Sequence, residues 1–173
     1  MKAAVITRFA GPDAIELRDV PELVPSSNDV LVEVEAAGVN FADILTASGG
    51  YPGLSKPPLI AGREFAGRIR HSGERVMGYT QSSAFAQVIA ARRDLLWPVP
   101  AHWTSQEAAA FPVNYFTAYL AYWKAGLSQT HAPVSAKVLI HAVAGGVGTA
   151  AVQIGRLLGV SRQQVHRQFG AKP

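Results

Sequence analysis

Apolar and polar residues alternate in short runs from Lys2 to about Val99. Lys2–Thr7, Ile15–Val20 and Val30–Ala36 each follow the period-two pattern that predicts half-buried strands. Turn residues separate them at Gly11-Pro12-Asp13 and at Pro25-Ser26-Ser27-Asn28-Asp29. Asn40–Ala47, NFADILTA, reads as one or two helical turns rather than a strand. A loop rich in glycine and proline follows from Gly49 to Gly53 and continues to Pro57-Pro58. Further short strands are predicted near Phe65–Arg70, Arg75–Gly78, Ala84–Ala90 and Leu95–Val99. Brief strands with this punctuation predict a partly closed barrel.

The pattern changes at Thr104. Thr104-x-x-Glu107 is a capping box, and the alanine-rich run from Ala108 to Trp123 predicts helix, broken or kinked at Pro112 and ended near Gly126. A loop over Ser128–Ser135 leads to Val138-Leu139-Ile140, a continuous apolar run that predicts a strand buried on both faces. A glycine turn comes next, Gly145-Gly146-Val147-Gly148. After it Val147, Ala151, Ile154 and Leu158 recur at helical spacing. Strand, glycine turn and helix together open a dinucleotide-binding unit, because glycines let backbone approach a pyrophosphate and the helix N-terminus presents free N–H groups. The spacing is Ala142-x-x-Gly145-x-x-Gly148 rather than G-x-G-x-x-G, so a tight βα turn without a ligand is the alternative.

Composition narrows the classes. The chain has 173 residues, 49% hydrophobic and 16% charged, which predicts a globular protein with one core or one domain and part of another. No apolar run is long enough to span a membrane, and the N-terminus lacks a secretory signal pattern. Cysteine is absent, which removes disulfides and thiolate ligands and fits a reducing, cytoplasmic setting. The net charge of +4 is spread thinly over Arg68–Arg75, Arg92-Arg93 and Arg162–Lys172, without the dense basic stripe a nucleic-acid partner would require. Histidines 71, 102, 131, 141 and 166 show no metal-ligand spacing.

The order of motifs resembles the zinc-independent quinone oxidoreductase and enoyl reductase branch of the medium-chain dehydrogenase/reductase superfamily. The matching pieces are MKAAVITRFAGPDAIEL, AAGVNFADILTASGGYP, AGREFAG, RVMGY, EAAAFPVNYFTAYLA and VLIHAVAGGVGTAAVQIGRLLG, in the family's order over nearly all of residues 1–159. The resemblance implies an α/β plus β fold: a GroES-like β-barrel catalytic domain over residues 1–125 and the start of a doubly wound Rossmann domain over 126–173. It implies NADPH, less often NADH, a hydride delivered to a quinone or an α,β-unsaturated carbonyl without zinc, and a homodimer. Gly145, Gly146, Val147 and Gly148 fall on the pyrophosphate turn. Thr117 matches a threonine bordering the cofactor. Asn40 matches an asparagine at the nicotinamide end, where zinc-dependent relatives carry a metal-binding cysteine. Tyr51 matches a tyrosine lining the substrate pocket. The Gly-His-Glu segment of those zinc-dependent relatives stands here as Gly62-Arg63-Glu64.

The chemistry has its own requirements. Hydride transfer needs something to stabilise charge arriving on the acceptor oxygen, and a hydroxyl or amide such as Tyr51 or Asn40 is adequate in kind for a conjugated acceptor. Plainer roles stand beside these. Tyr51 covers a glycine-rich loop, Asn40 bonds its own backbone in a turn, Thr117 bonds back to its helix, and Arg63 with Glu64 forms a surface or structural pair.

The sequence also departs from the family. A Rossmann sheet has about six parallel strands, and only the first strand and helix are recognisable. After Val160 the expected second strand, with its ribose-reading residue, is missing, and VHRQFGAKP follows as the next helix would. AGRIRHSGERVMGY is also shorter than its counterpart. These shortenings read as deletions or as omitted loops, in a truncated chain. Two further readings stand: a GroES-like binding module with a vestigial nucleotide turn, and an alcohol dehydrogenase, against which the missing zinc ligands argue.

Overall fold

The computed structural model describes residues 1–127 and 136–160. The chain divides into two compact units, the first Met1–Val113 and the second beginning at Asn114. The expected loop over Ser128–Ser135, the run from Ser161 onward, His131 and His166 lie outside the described residues.

The first unit is built from eight strands: β1 Lys2–Ile6, β2 Ile15–Asp19, β3 Asp29–Gly38, β4 Leu59–Ile60, β5 Glu64–Ile69, β6 Arg75–Tyr79, β7 Val88–Arg92 and β8 Leu96–Pro98. They form two antiparallel sheets, ordered β2-β1-β4 and β7-β3-β5-β6-β8. The segment before β7 joins them. Ala4 donates its N–H to the Phe85 carbonyl at 2.8 Å, and Gln87 donates to the Lys2 carbonyl at 3.0 Å. This is the partly closed barrel the strand pattern predicts. Val32, Phe65 and Val76 fill it, each almost fully buried, and each such burial stabilises by roughly 1.5–3 kcal/mol.

The expected strand over Ala84–Ala90 is shorter than predicted, because only Val88–Arg92 pairs along β3. Residues 84–87 instead cross between the sheets, with Ala3 and Ala86 meeting in an isolated bridge. The shortened stretch at His71–Glu74 closes a tight hairpin: Gly73 donates to the Ile69 carbonyl at 2.8 Å, and Ile69 donates to the Glu74 carbonyl at 3.0 Å.

Strand β5 is buried on both sides at its start. Phe65 and Ile69 enter the barrel core, while Ala66 faces Met77, Ala108 and Ala109. Alternation places Glu64 on the Ala66 side. The β3–β5 register shifts between Val34 and Ala36, a bulge that bends β3 and sets Gly38 opposite Glu64. Helix α1, Phe41–Ala47, follows at once.

Helix α2, Ser105–Ala109, starts at the predicted capping box: Glu107 donates its N–H to Thr104 Oγ1 at 3.2 Å, and Thr104 donates its N–H to Glu107 Oε2 at 2.8 Å. The chain breaks before Pro112, and helix α3 runs Pro112–Lys124. In the second unit α3 packs against α4, Gly146–Leu157, through Ala118, Tyr122, Ala150 and Ile154. Tyr122 donates its hydroxyl to the Ala151 carbonyl at 2.9 Å, and Tyr115 to Gln153 Oε1 at 2.9 Å.

Two expectations fail in this unit. Val138–Ile140 is not a strand, and Leu139 is 60% exposed. A strand exists only through the ladder it shares, and no described residue pairs with this segment. Val147 stands on the exposed side of α4, whose buried side is Gly148, Ala150, Ile154 and Gly155.

Candidate functional site

In the first unit the site is assembled around the start of α1. Asn40 caps this helix in extended conformation, and its N–H donates to Asp43 Oδ2 at 2.8 Å. Its side chain does more than the local turn requires. Asn40 Nδ2 donates to Glu64 Oε1 at 2.7 Å, and Glu64 Oε2 accepts from the Val113 N–H at 2.7 Å. Both carboxylate oxygens are therefore engaged, with the residue only 1% exposed. Gly38 makes this possible, since a Cβ there would overlap Glu64 Oε1 and the Ala109 carbonyl. One amide hydrogen of Asn40 is committed to Glu64, so the amide has a fixed orientation and presents its oxygen away from the carboxylate.

Arg63 and Glu64 are not a pair at the surface. Arg63 is buried, 4% exposed, and takes part in no ion pair among the described residues. Its Nη2 donates to Thr46 Oγ1 at 3.2 Å, and its guanidinium carbon lies 3.7 Å from the centre of the Tyr51 ring. Adjacent residues at a strand start face opposite ways, which separates the two charges. Tyr51 thus covers a buried guanidinium as well as its own loop. It also lines a pocket of about 230 Å³ with Ser55, Arg63, Tyr79, Gln81 and Ser82. Asn40 is not among the residues lining this pocket.

Two carboxyls beside this cluster titrate abnormally. Burial pushes Asp43 above its ordinary 3.8, opposed by the Asn40 N–H and by the charge of Arg63. Burial also pushes Glu64 above its ordinary 4.5, opposed by the bonds from Asn40 and Val113 and reinforced by the charge of Asp43. Asp43 Oδ1 and Arg63 Nε are enclosed without a partner. Among the described residues no three histidine, aspartate or glutamate side chains cluster as a metal site requires.

In the second unit the glycine turn leads into α4 from Gly145, whose N–H donates to the Ala142 carbonyl at 2.9 Å. The first helical bond runs from the Thr149 N–H to the Gly145 carbonyl at 2.8 Å, so the N–H groups of residues 146–148 precede the helix's own ladder. Gly145, Gly146 and Val147 are exposed. Gly148 is buried against the backbone of Ala142 and Val143, where a Cβ would overlap, and serves packing rather than display. The Asn114 side chain occupies the space a Cβ on Gly146 would need. Thr117 is exposed on α3 three residues beyond Asn114, on the same helix face. Bare exposed backbone at a helix N-terminus is a cradle suited to a phosphate, and the residues present fit a dinucleotide there.

Sequence reasoning passed over Asn114, and it undervalued Arg63 and Glu64. The Asn114-x-x-Thr117 spacing on one helix was the available signal for the first. For the others the signal was two charged residues opening an otherwise apolar strand.

The alcohol dehydrogenase GroES-like domain model matches residues 26–83. Quinone oxidoreductase of Lama guanicoe is 35% identical over 167 residues, covering 90% of this chain and 49% of that protein. The quinone oxidoreductase of Thermus thermophilus, solved also in complex with NADPH, superposes with a TM-score of 0.82 at 41% identity. That match covers 92% of this chain and 51% of the other. The chain carries a GroES-like domain and is similar over its length to quinone oxidoreductases of the medium-chain dehydrogenase/reductase superfamily. JamJ enoyl reductase, in its apo form, is a further structural neighbour, with a TM-score of 0.80 at 28% identity over 92% of this chain and 52% of the other. The first unit accordingly carries the GroES-like domain, and the turn with α4 lies within the stretch that superposes on the quinone oxidoreductase of Thermus thermophilus. The chain spans about half the length of the relatives it matches.

Proposed function

We propose that the protein is an NAD(P)H-dependent oxidoreductase that reduces a quinone or an α,β-unsaturated carbonyl without zinc. The observation that carries this reading is the exposed turn from Gly145 to Val147 at the head of α4, where backbone N–H groups precede the helix's own hydrogen bonds. Gly145, Gly146 and Val147 hold the pyrophosphate, Gly148 supports the turn from beneath, and Thr117 borders the cofactor. NADPH is preferred to NADH, in line with the NADPH complex of the Thermus thermophilus relative. When bound, the cofactor supplies the hydride. Asn40 orients the nicotinamide end through an amide whose direction Glu64 sets. Tyr51 donates its hydroxyl toward the acceptor oxygen and stabilises charge arriving there, from a ring already anchored on Arg63.

The proposed organisation is a catalytic domain with its connecting helix over residues 1–125 and a nucleotide-binding domain from 126, acting as a cytoplasmic homodimer on a small-molecule substrate. No helix among the described residues is long and apolar enough to cross a membrane. The deciding measurement is NADPH and NADH fluorescence on titration with the purified protein, followed by turnover of a quinone and of an enone. Saturable binding and oxidation of NADPH by one acceptor supports the reading. Absence of binding of both nucleotides at millimolar concentration rejects it and leaves the barrel as a binding module.

A further inference from the structure

The pocket beside Tyr51 carries one formal charge, and among the described residues no carboxylate lies within ion-pair distance of it. Of the side chains lining it, Tyr51, Ser55, Tyr79, Gln81 and Ser82 are neutral and polar, and Arg63 alone is ionic. Arg63 is 4% exposed and belongs to no ion pair among the described residues. Its protein partners are one hydroxyl, Thr46 Oγ1, and one aromatic face, Tyr51, while its Nε is left unbonded. Neither of the two carboxyls nearby bonds it, although the charge of Arg63 is felt at Asp43. Glu64 spends both oxygens on Asn40 and Val113; Asp43 spends Oδ2 on the Asn40 N–H, and its buried Oδ1 makes no hydrogen bond to Arg63. A guanidinium withdrawn from water without a directly bonded anion is costly, and proteins offset that cost with a partner or a ligand.

We infer that this pocket is a binding site for a small carboxylate, with Arg63 as the residue that selects a negative charge and the surrounding hydroxyl and amide groups as its hydrogen-bond donors. The size agrees: about 230 Å³ lies below the range for drug-sized ligands and suits one ring or a short chain. The tyrosine ring lies against the guanidinium, whose central carbon is 3.7 Å from the ring centre, so the charge is held in place before a ligand arrives. As a statement about the substrate, namely that the acceptor carries a carboxylate, the inference rests on the reductase reading. As a binding site it stands or falls without cofactor.

The test compares benzoate with benzamide, its neutral counterpart of the same shape, by ligand-observed NMR and calorimetry on the purified protein without nucleotide. Wild type is expected to bind benzoate at least about tenfold more tightly than benzamide, the scale of a charge-assisted contact in a sheltered site. Arg63→Met is expected to bring the two affinities together, and Arg63→Lys to retain part of the preference. Gln81→Glu, at an exposed lining position, places a like charge in the pocket without touching the core, and is expected to weaken benzoate while leaving benzamide unchanged. Equal affinities in wild type, or no saturable benzoate binding at tens of millimolar, overturns the inference; so does a benzoate preference that survives both Arg63→Met and Gln81→Glu. NADPH oxidation with a neutral quinone alongside absent benzoate binding removes this inference and leaves the reductase reading intact. Benzoate binding in a protein that binds neither nucleotide does the reverse.

Discussion

Glu64 Oε1 accepts a hydrogen bond from Asn40 Nδ2 at 2.7 Å, joining residues 24 positions apart through a carboxylate that is almost fully buried. The other oxygen accepts from the Val113 N–H, so Glu64 holds the start of α1 and the start of α3 at once. In Glu64→Gln one side-chain end becomes a donor, and it must face either Asn40 Nδ2 or the Val113 N–H. The variant is expected to lose about 1–3 kcal/mol in urea unfolding, the cost of an unmet buried partner. An unfolding curve that superposes on wild type would show that the carboxylate does not make these bonds.

The pH response of the same residue has a definite sign. Burial raises the carboxyl of Glu64 above its ordinary 4.5, so the folded state holds the proton more tightly than the unfolded chain. The cost of the buried charge is absent below 4.5, where both states are protonated, and fully present above the raised folded value. Stability from this group therefore falls as pH rises between the two. The Tm difference, wild type minus Glu64→Gln, is expected to grow as pH is lowered from 8 toward about 5. A difference that is flat or shrinks over that range contradicts the raised value.

Gly38 is needed for space. A methyl group there would overlap Glu64 Oε1 and the Ala109 carbonyl, neither of which is a free side-chain end. Gly38→Ala is expected to destabilise the barrel by about 1–3 kcal/mol, as overpacking does. Gly50→Ala, whose new methyl meets only ordinary contacts near 3.8 Å, is expected to stay within about 0.5 kcal/mol. Equal effects at the two positions, read by chemical denaturation, would remove the special role of Gly38.

Gly146 has two reasons to lack a side chain, and a double variant separates them. Asn114 fills the space beside it, and the backbone there is exposed for a ligand. Gly146→Ala is expected to weaken NADPH binding by about tenfold or more, and the bulkier Gly146→Val to abolish it. Adding Asn114→Ala relieves the crowding. Affinity should remain low in Asn114→Ala/Gly146→Ala if backbone approach to the phosphate is the reason. Full recovery in the fluorescence titration would instead assign the glycine to helix packing.

Tyr122 tests the second unit by itself. Its hydroxyl bonds the Ala151 carbonyl at 2.9 Å, and burial raises the phenol above its ordinary 10.0. Tyr122→Phe is expected to cost about 0.5–1.5 kcal/mol without changing the ring's packing against Ala150 and Ile154. Amide exchange along α4 would report it as faster opening, and unchanged exchange would show the bond to be idle.

What the chain determined by itself was local. The alternation of β1 and β3, the Thr104 capping box, the break before Pro112 and the helix after Gly145 each depend on residues within a few positions of one another. Short-range sterics and capping act on the chain wherever it sits, so their traces are readable in order. Tertiary structure decided the rest. Arg63 meets Tyr51 and Thr46, and Glu64 meets Asn40 and Val113, only because a bulge in β3 and the bending of the sheet bring α1 against the start of β5. Val138–Ile140 makes the same point from the other side. Its residues have every preference of a strand, but a strand is a shared ladder, and composition cannot supply the neighbour that completes it.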